Sequence, residues 1–285
     1  MDAPRLKSIT VAPYQLPLVR PFGMPGHETR EREGLIVRLE SEDGSEGYGE
    51  IAPLEGLHRD TLEGAWKYLG KHGPTLIGAS FSKIRQLWLR HRAPPSVFFG
   101  LESAMIALGA HRSGRTPAHV LSDGEIEDAS ARVPICGLFS GDVRALERDL
   151  ERLAPYSTVK LKLGRQSLER DLAVLSRIAE ALPHTRLRLD GNQQLDLDAA
   201  KRLVDAVPRV RIEYVEEPVA MDAVVRFHDE TGLDVALDES LRWRMALPRG
   251  VSTLVMKPSV YGGVLEVTHA WYRRALQTGK QIVIS

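Results

Sequence analysis

The chain has 285 residues, of which 43% are hydrophobic and 27% are charged, a composition that predicts a globular protein with a sizeable core and excludes extended disorder. Lysine plus arginine equals aspartate plus glutamate at 38 each, so no net field favours nucleic acid or an anionic membrane. The only cysteine, Cys136, excludes an intramolecular disulfide and a thiolate zinc site. The sequence shows neither a signal-peptide pattern nor an apolar run of membrane-spanning length. We therefore expect a cytoplasmic enzyme with a small-molecule substrate.

The first part of the chain predicts an α+β domain over residues 1–125. Residues 5–55 alternate between polar and apolar side chains, with "EDGSEG" as a turn, which is typical of a small antiparallel sheet. The segments "RDTLEGAWKYLGKHG", "FSKIRQLWLRH" and "PPSVFFGLESAMIALGAHRSG" carry apolar residues at helical spacing.

A different pattern predicts a second domain over residues 126–285. Short apolar strands alternate there with amphipathic helices, and the predicted strands are "RVPICG", "TVKLKL", "RLRLD", "RIEYVE", "DVALD", "TLVMK" and "QIVIS". Units of one strand, one helix and two short loops indicate a parallel sheet. The sequence thus predicts an α/β protein whose second domain is a barrel of the eight-fold type or a relative of it.

Two lysines lie inside the predicted strand "TVKLKL". Parallel strands are normally apolar on both faces, so a charged residue within one is costly unless it lies in a site. Because side chains alternate along a strand, Lys160 and Lys162 share a face while Val159, Leu161 and Leu163 share the other. We expect the lysine face to line the barrel interior.

Four later strands also finish with a charged residue. Asp190 closes "RLRLD", Glu216 closes "RIEYVE", Asp238 closes "DVALD" and Lys257 closes "TLVMK". Any one of these carboxylates alone would be read as a helix cap or a surface charge. The carboxyl ends of barrel strands form the active-site face, so we expect the three carboxylates to converge there between the lysines.

Three converging carboxylates repel one another, and a hard divalent cation relieves that repulsion. Oxygen ligands suit Mg²⁺ or Mn²⁺ and leave coordination positions for a substrate carboxylate. A metal-held carboxylate has a more acidic α-proton, and a lysine beside a cation has a lowered pKa, which lets it act as a base. The residues therefore predict proton abstraction next to a carboxylate.

The ordered motifs "KLK", "RLRLDGN", "YVEEP", "ALDES" and "VMKPSVYGG", together with "EGYGEIAPLEG" and "PPSVFFGLESAMIAL", resemble the enolase superfamily in its muconate-lactonising branch. The resemblance is strongest to the o-succinylbenzoate synthase family. It implies a (β/α)₇β barrel with an α+β capping domain that carries substrate-specificity loops. It also implies one Mg²⁺ bound by the residues that match Asp190, Glu216 and Asp238. The position of Lys162 matches the family's base and acid, and that of Lys257 matches the lysine on the opposite face of the substrate.

Four further residues are candidates for substrate binding or for support of the site. Lys160 is either a solvated lysine or an electrostatic partner of Lys162. Arg188 is either a buried ion-pair partner or a substrate-orienting residue. Asn192 is a loop residue that we expect to touch the site, and Glu239, which directly follows a ligand, points away and supports the ligands from behind.

The resemblance implies dehydration of 2-succinyl-6-hydroxy-2,4-cyclohexadiene-1-carboxylate to 2-succinylbenzoate in menaquinone biosynthesis. Racemisation of an N-acylamino acid or epimerisation of a dipeptide stays open, because the same residues serve it with both lysines as opposed bases. A barrel without catalysis, kept for binding or structure, also stays open.

The sequence stops at "GKQIVIS", which reads as the seventh barrel strand, whereas family members continue with a further helix and strand. An incomplete barrel leaves unpaired strand edges. We therefore expect the chain as given to be aggregation-prone and catalytically weak.

Overall fold

The computed structural model describes residues 5–24, 27–122, 132–243 and 246–285. The chain divides into two compact units, one formed by Met1–Ala131 with Lys257–Arg273 and the other by Arg132–Met256 with Arg274–Ser285. The predicted domain boundary at residues 125 and 126 lies outside the described residues. In the part of the chain that the structure describes, no helix has both the length and the apolar character needed to cross a membrane.

The first unit contains the antiparallel sheet that the alternating pattern predicts. Its strand order is β1-β2-β3, and the strands are β1 (Leu6–Met24), β2 (His27–Ser41) and β3 (Glu46–Ile51). The predicted turn joins β2 to β3, and Gly44 adopts the left-handed conformation in it, with φ +82°, which glycine accepts without steric cost.

Four helices follow this sheet: α1 (Leu62–His72), α2 (Phe81–Arg90), α3 (Pro95–Ser113) and α4 (Pro117–Leu121). The first three coincide with the segments of helical spacing, and Thr61 and Ser80 cap α1 and α2 through their side chains. Buried residues from all three strands and from α1 to α3 share one apolar core.

The second unit is built on a seven-stranded parallel sheet in the order β10-β9-β8-β7-β6-β5-β4, so the predicted α/β fold class is confirmed. The strands are β4 (Gly137–Phe139), β5 (Thr158–Lys162), β6 (Arg186–Asp190), β7 (Ile212–Glu216), β8 (Val235–Leu237), β9 (Val251–Met256) and β10 (Gln281–Ile284). The helices between them are α5 (Val143–Leu153), α6 (Leu168–Ala181), α7 (Leu197–Asp205), α8 (Val224–Thr231), α9 (Pro258–Tyr261) and α10 (His269–Gln277).

The first predicted strand of this sheet is placed differently in the structure. "RVPICG" was expected to be a strand, but β4 begins only at Gly137, and Val133 and Ile135 are exposed. Pro134 has no N–H to donate to a neighbouring strand, which disfavours pairing across this segment. The alternation of apolar residues alone therefore misplaced this strand.

The strand register brings the charged strand ends together. Lys162 lies beside Asp190 across the β5–β6 pair, and Asp190 lies beside Glu216 across the β6–β7 pair. Glu216 in turn lies beside Ala236 of β8, two residues before Asp238. The parallel arrangement thus aligns the three carboxylates at one edge of the sheet, as the sequence predicted.

In the first unit, β3 and α3 approach each other closely through glycines. A methyl group on Gly49 would lie well inside the van der Waals distance of the Gly100 carbonyl oxygen, and 2.9 Å from the Ala104 backbone nitrogen. A methyl group on Gly100 would lie 2.7 Å from the Glu50 carbonyl oxygen. The three atoms nearest to a methyl group on Gly49 all belong to the backbone, so no flexible side chain can move aside there.

We expect Gly49→Ala to lower the free energy of unfolding by about 2 kcal/mol or more, because overpacking against backbone forces the strand and the helix apart. The matched control is Gly70→Ala in α1, where a methyl group meets no atom within 4 Å. That change should be neutral or stabilising by up to about 1 kcal/mol. Urea denaturation followed by fluorescence measures both, and equal stabilities for the two variants would contradict the close approach of β3 and α3.

Candidate active site

Three carboxylates at the strand ends of the second unit are almost completely buried. Asp190 ends β6, Glu216 ends β7 and Asp238 follows β8, and their exposed fractions are 0%, 1% and 5%. Burying a charge is costly unless it is paired or holds a metal ion, so each of these carboxylates requires a compensating positive charge.

Lys160 supplies part of that compensation. Its Nζ lies 2.7 Å from both carboxylate oxygens of Glu216 and 2.9 Å from Oδ2 of Asp190, and its side chain is 12% exposed. Burial disfavours the ammonium form, but the charges of Glu216 and Asp190 outweigh burial and hold the pKa of Lys160 above its ordinary value. The structure therefore places Lys160 among the carboxylates rather than in solvent.

Lys162 and Asn192 form the more accessible part of the cluster. Lys162 Nζ lies 2.9 Å from Asp190 Oδ2 and donates to Asn192 Oδ1 at 3.2 Å. Asn192 has φ +44°, donates its backbone N–H to Asp190 Oδ1 at 3.1 Å and donates from Nδ2 to Glu239 Oε1 at 3.3 Å. Asn192 thus links Lys162, Asp190 and Glu239.

The electrostatics of the cluster fit a further cation. Burial, together with the negative charges of Asp190 and Asp238, raises the pKa of Glu216 to about 8 against the opposing charge of Lys160. Burial also opposes ionisation of Asp190, but Lys160 and Lys162 outweigh it and lower its pKa. The described contacts pair Asp190 and Glu216 with the ammonium groups of Lys160 and Lys162, and carboxylate oxygens are the donors that Mg²⁺ prefers.

Within the described residues, no three His, Cys, Asp or Glu side chains are arranged to close around a metal ion. The ammonium group of Lys160 lies 2.7 Å from a Glu216 oxygen and 2.9 Å from an Asp190 oxygen. The oxygen donors of these carboxylates fit a hard cation.

Glu217 organises the loop that carries Asp238. This carboxylate is fully buried and accepts from the backbone N–H of Asp238 at 2.8 Å, from that of Ser240 at 2.9 Å and from Ser240 Oγ at 2.7 Å. Burial raises the pKa of Glu217 to about 7, although the Ser240 hydrogen bonds oppose the rise. Gln193, which the sequence did not single out, donates from Nε2 to Ser240 Oγ at 3.1 Å. The only sequence signal for Glu217 was its position directly after Glu216, one of the expected metal ligands.

Arg188 makes its described contacts away from the three carboxylates. It donates to Glu213 at 3.1 and 3.3 Å, and its guanidinium lies 5.1 Å from the centre of the Tyr214 ring. These contacts correspond to the ion-pair alternative for this residue. They link β6 to β7 at positions that precede Asp190 and Glu216 along the two strands.

Lys257 directly follows β9 and is the N-cap residue of α9. It is half-buried and begins the segment Lys257–Arg273, which is counted with the first compact unit. Its carbonyl oxygen accepts from the backbone N–H groups of Val260 at 2.9 Å and Tyr261 at 3.1 Å, so the lysine sits at a tight turn of the backbone.

Comparison with known proteins identifies the class of enzyme to which these features belong. Residues 142–270 match the family model described as "Enolase C-terminal domain-like", and residues 6–108 match the one described as "MenC, N-terminal domain". An o-succinylbenzoate synthase of Edwardsiella ictaluri is 31% identical over 292 residues, which cover 98% of this chain and 81% of that protein. The chain belongs to the o-succinylbenzoate synthase family of the enolase superfamily.

Solved structures agree with this assignment. The o-succinylbenzoate synthase of Thermosynechococcus elongatus, whose structure is complexed with magnesium in the active site, is 27% identical with a TM-score of 0.71, and the match covers 97% of this chain and 83% of that one. A dipeptide epimerase of Enterococcus faecalis is 21% identical with a TM-score of 0.81, covering 98% of this chain and 82% of that one. The second likeness shows the fold alone.

We expect Lys160→Met to lower the free energy of unfolding by about 3–5 kcal/mol, because it leaves buried carboxylates without their main counter-charge. The matched control is Lys201→Met. It removes a more exposed ion pair, in which Lys201 Nζ lies 2.6 Å from Glu230 Oε2, a distance similar to those of Lys160. That change should cost about 1 kcal/mol or less. Urea denaturation in the presence of a chelator measures both variants, and similar losses would show that the Lys160 contacts are not the main compensation.

Proposed function

We propose that this chain catalyses the Mg²⁺-dependent syn-dehydration of 2-succinyl-6-hydroxy-2,4-cyclohexadiene-1-carboxylate to 2-succinylbenzoate. The observation that carries the proposal is the buried set of Asp190, Glu216 and Asp238 beside Lys160 and Lys162. Membership of the o-succinylbenzoate synthase family supports this reaction over others that such a site could serve. The partner is a small-molecule carboxylate, and the cytoplasm is the compartment that we expect for it.

In this proposal Asp190, Glu216 and Asp238 hold Mg²⁺, which Mn²⁺ can replace. When bound, the metal supplies positive charge that makes the proton next to the substrate carboxylate more acidic. Lys160 favours the ionised forms of Asp190 and Glu216 through its short contacts with both. Glu217 and Glu239 support the site from behind, through Ser240 and Asn192 respectively.

Lys162 is the general base and then the general acid of the reaction. Its Nζ removes the proton from the carbon that bears the carboxylate, and the electron pair forms the new ring double bond as the hydroxyl group departs. The same ammonium group returns the proton to that hydroxyl, so water leaves and the ring becomes aromatic. Asn192 and Asp190 hold Lys162 Nζ by hydrogen bonds at 3.2 and 2.9 Å, which orients the proton-transferring nitrogen.

Lys257 places a positive charge near the negative charge that develops on the substrate and so stabilises it. It does not transfer a proton in dehydration, whereas racemisation of an amino acid derivative requires a second base.

We also propose that residues 1–125 form the capping domain with the specificity loops and that residues 126–285 form the barrel domain. Arg188 supports the site through Glu213 in this scheme.

We expect Lys162→Ala to lower kcat for dehydration by at least about 10³-fold, because a general base alone contributes roughly 10²- to 10⁴-fold and this one acts twice. The fold should persist, as circular dichroism would show. A spectrophotometric assay of 2-succinylbenzoate formation measures the effect, and residual activity within tenfold of the unsubstituted enzyme would refute the assignment.

Lys257→Arg is the companion variant, because arginine keeps the charge but does not give up a proton near neutral pH. It should leave dehydration detectable while abolishing any racemisation of N-succinylamino acids measured in parallel. Loss of dehydration to the level of Lys162→Ala would instead assign proton transfer to both lysines.

We expect a chelator to abolish dehydration and Mg²⁺ or Mn²⁺ to restore it. Asp190→Asn, Glu216→Gln and Asp238→Asn should each raise the Mg²⁺ concentration needed for half-maximal recovery by about tenfold or more. Glu230→Gln, which removes a carboxylate of α8 that pairs with Lys201, is the control and should change this concentration little. Full activity in excess chelator would exclude the metal site.

A further inference from the structure

Helix α3 contains one buried residue whose charge the proposed chemistry does not use. Its buried side chains are otherwise uncharged, and Glu102 is 2% exposed. A carboxylate in such a place is costly unless it accepts hydrogen bonds. Its partners therefore indicate what the residue is for.

The described partners of Glu102 lie in the segment that follows Lys257. Glu102 Oε2 accepts from the backbone N–H of Val264 and from that of Leu265, the latter at 3.2 Å. These two amides begin the π-helical turn Val264–Thr268. The first N–H groups of a helix have no partner within it and favour a negative charge, so the carboxylate fits this position by both hydrogen bonding and charge.

Two glycines allow this segment to approach α3. Gly262 and Gly263 have φ +88° and +119°, conformations that other residues rarely adopt. A methyl group on Gly263 would lie 2.8 Å from Glu102 Oε2 and from the Phe98 ring. Gly263 donates its own N–H to the Pro258 carbonyl oxygen at 3.0 Å, which joins the contact with Glu102 to the turn that begins at Lys257.

A second contact within the first unit holds the same turn. Leu54 donates its N–H to Nδ1 of His58 at 3.0 Å, which leaves the proton of the neutral ring on Nε2. That nitrogen lies 3.3 Å from Ser259 Oγ, two residues after Lys257. The segment is therefore held at Ser259 by one hydrogen bond and at Val264 and Leu265 by the carboxylate.

We infer that Glu102 is a positioning residue for Lys257. It anchors the backbone seven and eight residues beyond the lysine, so that the turn carrying the ammonium group has one conformation. This inference rests on the proposed role of Lys257. It gives a buried side chain of α3 a part in the proposed reaction.

The activity test compares Glu102→Ala with Glu102→Gln. Removal of the acceptor should lower kcat by about 30- to 100-fold with KM changed by less than about threefold, since a small displacement of a group that acts on the transition state has such effects. In Glu102→Gln a single amide oxygen can accept both N–H groups, so kcat should stay within about fivefold of the unsubstituted enzyme. Equal losses in the two variants would overturn the inference.

A double substitution separates positioning from general destabilisation. In a Lys257→Arg background, in which the lysine is already absent, Glu102→Ala should cost less than about threefold in kcat, because the two changes act on one interaction. Leu6→Ala, which opens a cavity in the core of the same unit, is the control. Assayed below the melting temperature of this variant, its kcat should stay within about threefold of that of the unsubstituted enzyme. A full additive loss in the double variant would show that Glu102 does not act through Lys257.

Hydrogen exchange of the peptide that contains Val264 and Leu265 tests the anchor without any substrate. Exchange should be at least about tenfold faster in Glu102→Ala than in Leu6→Ala, since a hydrogen-bonded amide exchanges only when its bond opens. Unchanged exchange would overturn the anchor itself. If the unsubstituted protein proves inactive in dehydration, the proposed function fails, while the exchange result still decides whether Glu102 holds this segment.

Discussion

The constraint on which the site depends is the burial of negative charge at adjacent strand ends. Asp190 and Glu216 are out of contact with solvent, and burying such charges costs several kcal/mol each unless they are paired. Lys160 and Lys162 of the neighbouring strand provide the pairing that the structure shows. The register of β5, β6 and β7 is therefore decisive, since a shift by one residue would turn every one of these side chains to the opposite face.

Buried acids outside this set hydrogen-bond to the loops that carry the candidate functional side chains. Asp171 of α6 accepts from the backbone N–H of Gly164 at 2.7 Å, just after the strand that bears Lys162. Glu217 accepts from the loop that begins at Asp238, and Glu102 accepts from the segment after Lys257. In each case a carboxylate satisfies N–H groups that the irregular backbone leaves without partners. The cost of burying these acids is thus offset by the order that they impose on the loops.

The fold by itself does not select a reaction. A dipeptide epimerase shares the fold with a TM-score of 0.81 at 21% identity, and the two lysines of the proposed scheme could serve either proton exchange or dehydration. The difference lies in the leaving group and in the number of bases required. Sequence identity of 31% to an o-succinylbenzoate synthase carries the family assignment. Lys162 contacts Asp190 and Asn192, whereas Lys257 caps a short helix.

The sequence by itself determined the α/β class, the antiparallel sheet and the alignment of the strand-end carboxylates, because side-chain alternation and parallel pairing follow from local geometry. It also predicted Lys160 and Lys162 on one face. Only the tertiary structure decided that Lys160 contacts Glu216 and Asp190 together, that Arg188 pairs with Glu213, and that the first strand of the parallel sheet begins at Gly137. The physical reason is that periodicity defines the face on which a side chain lies. Its partner depends on strand register and on residues distant in sequence, which the local pattern does not encode.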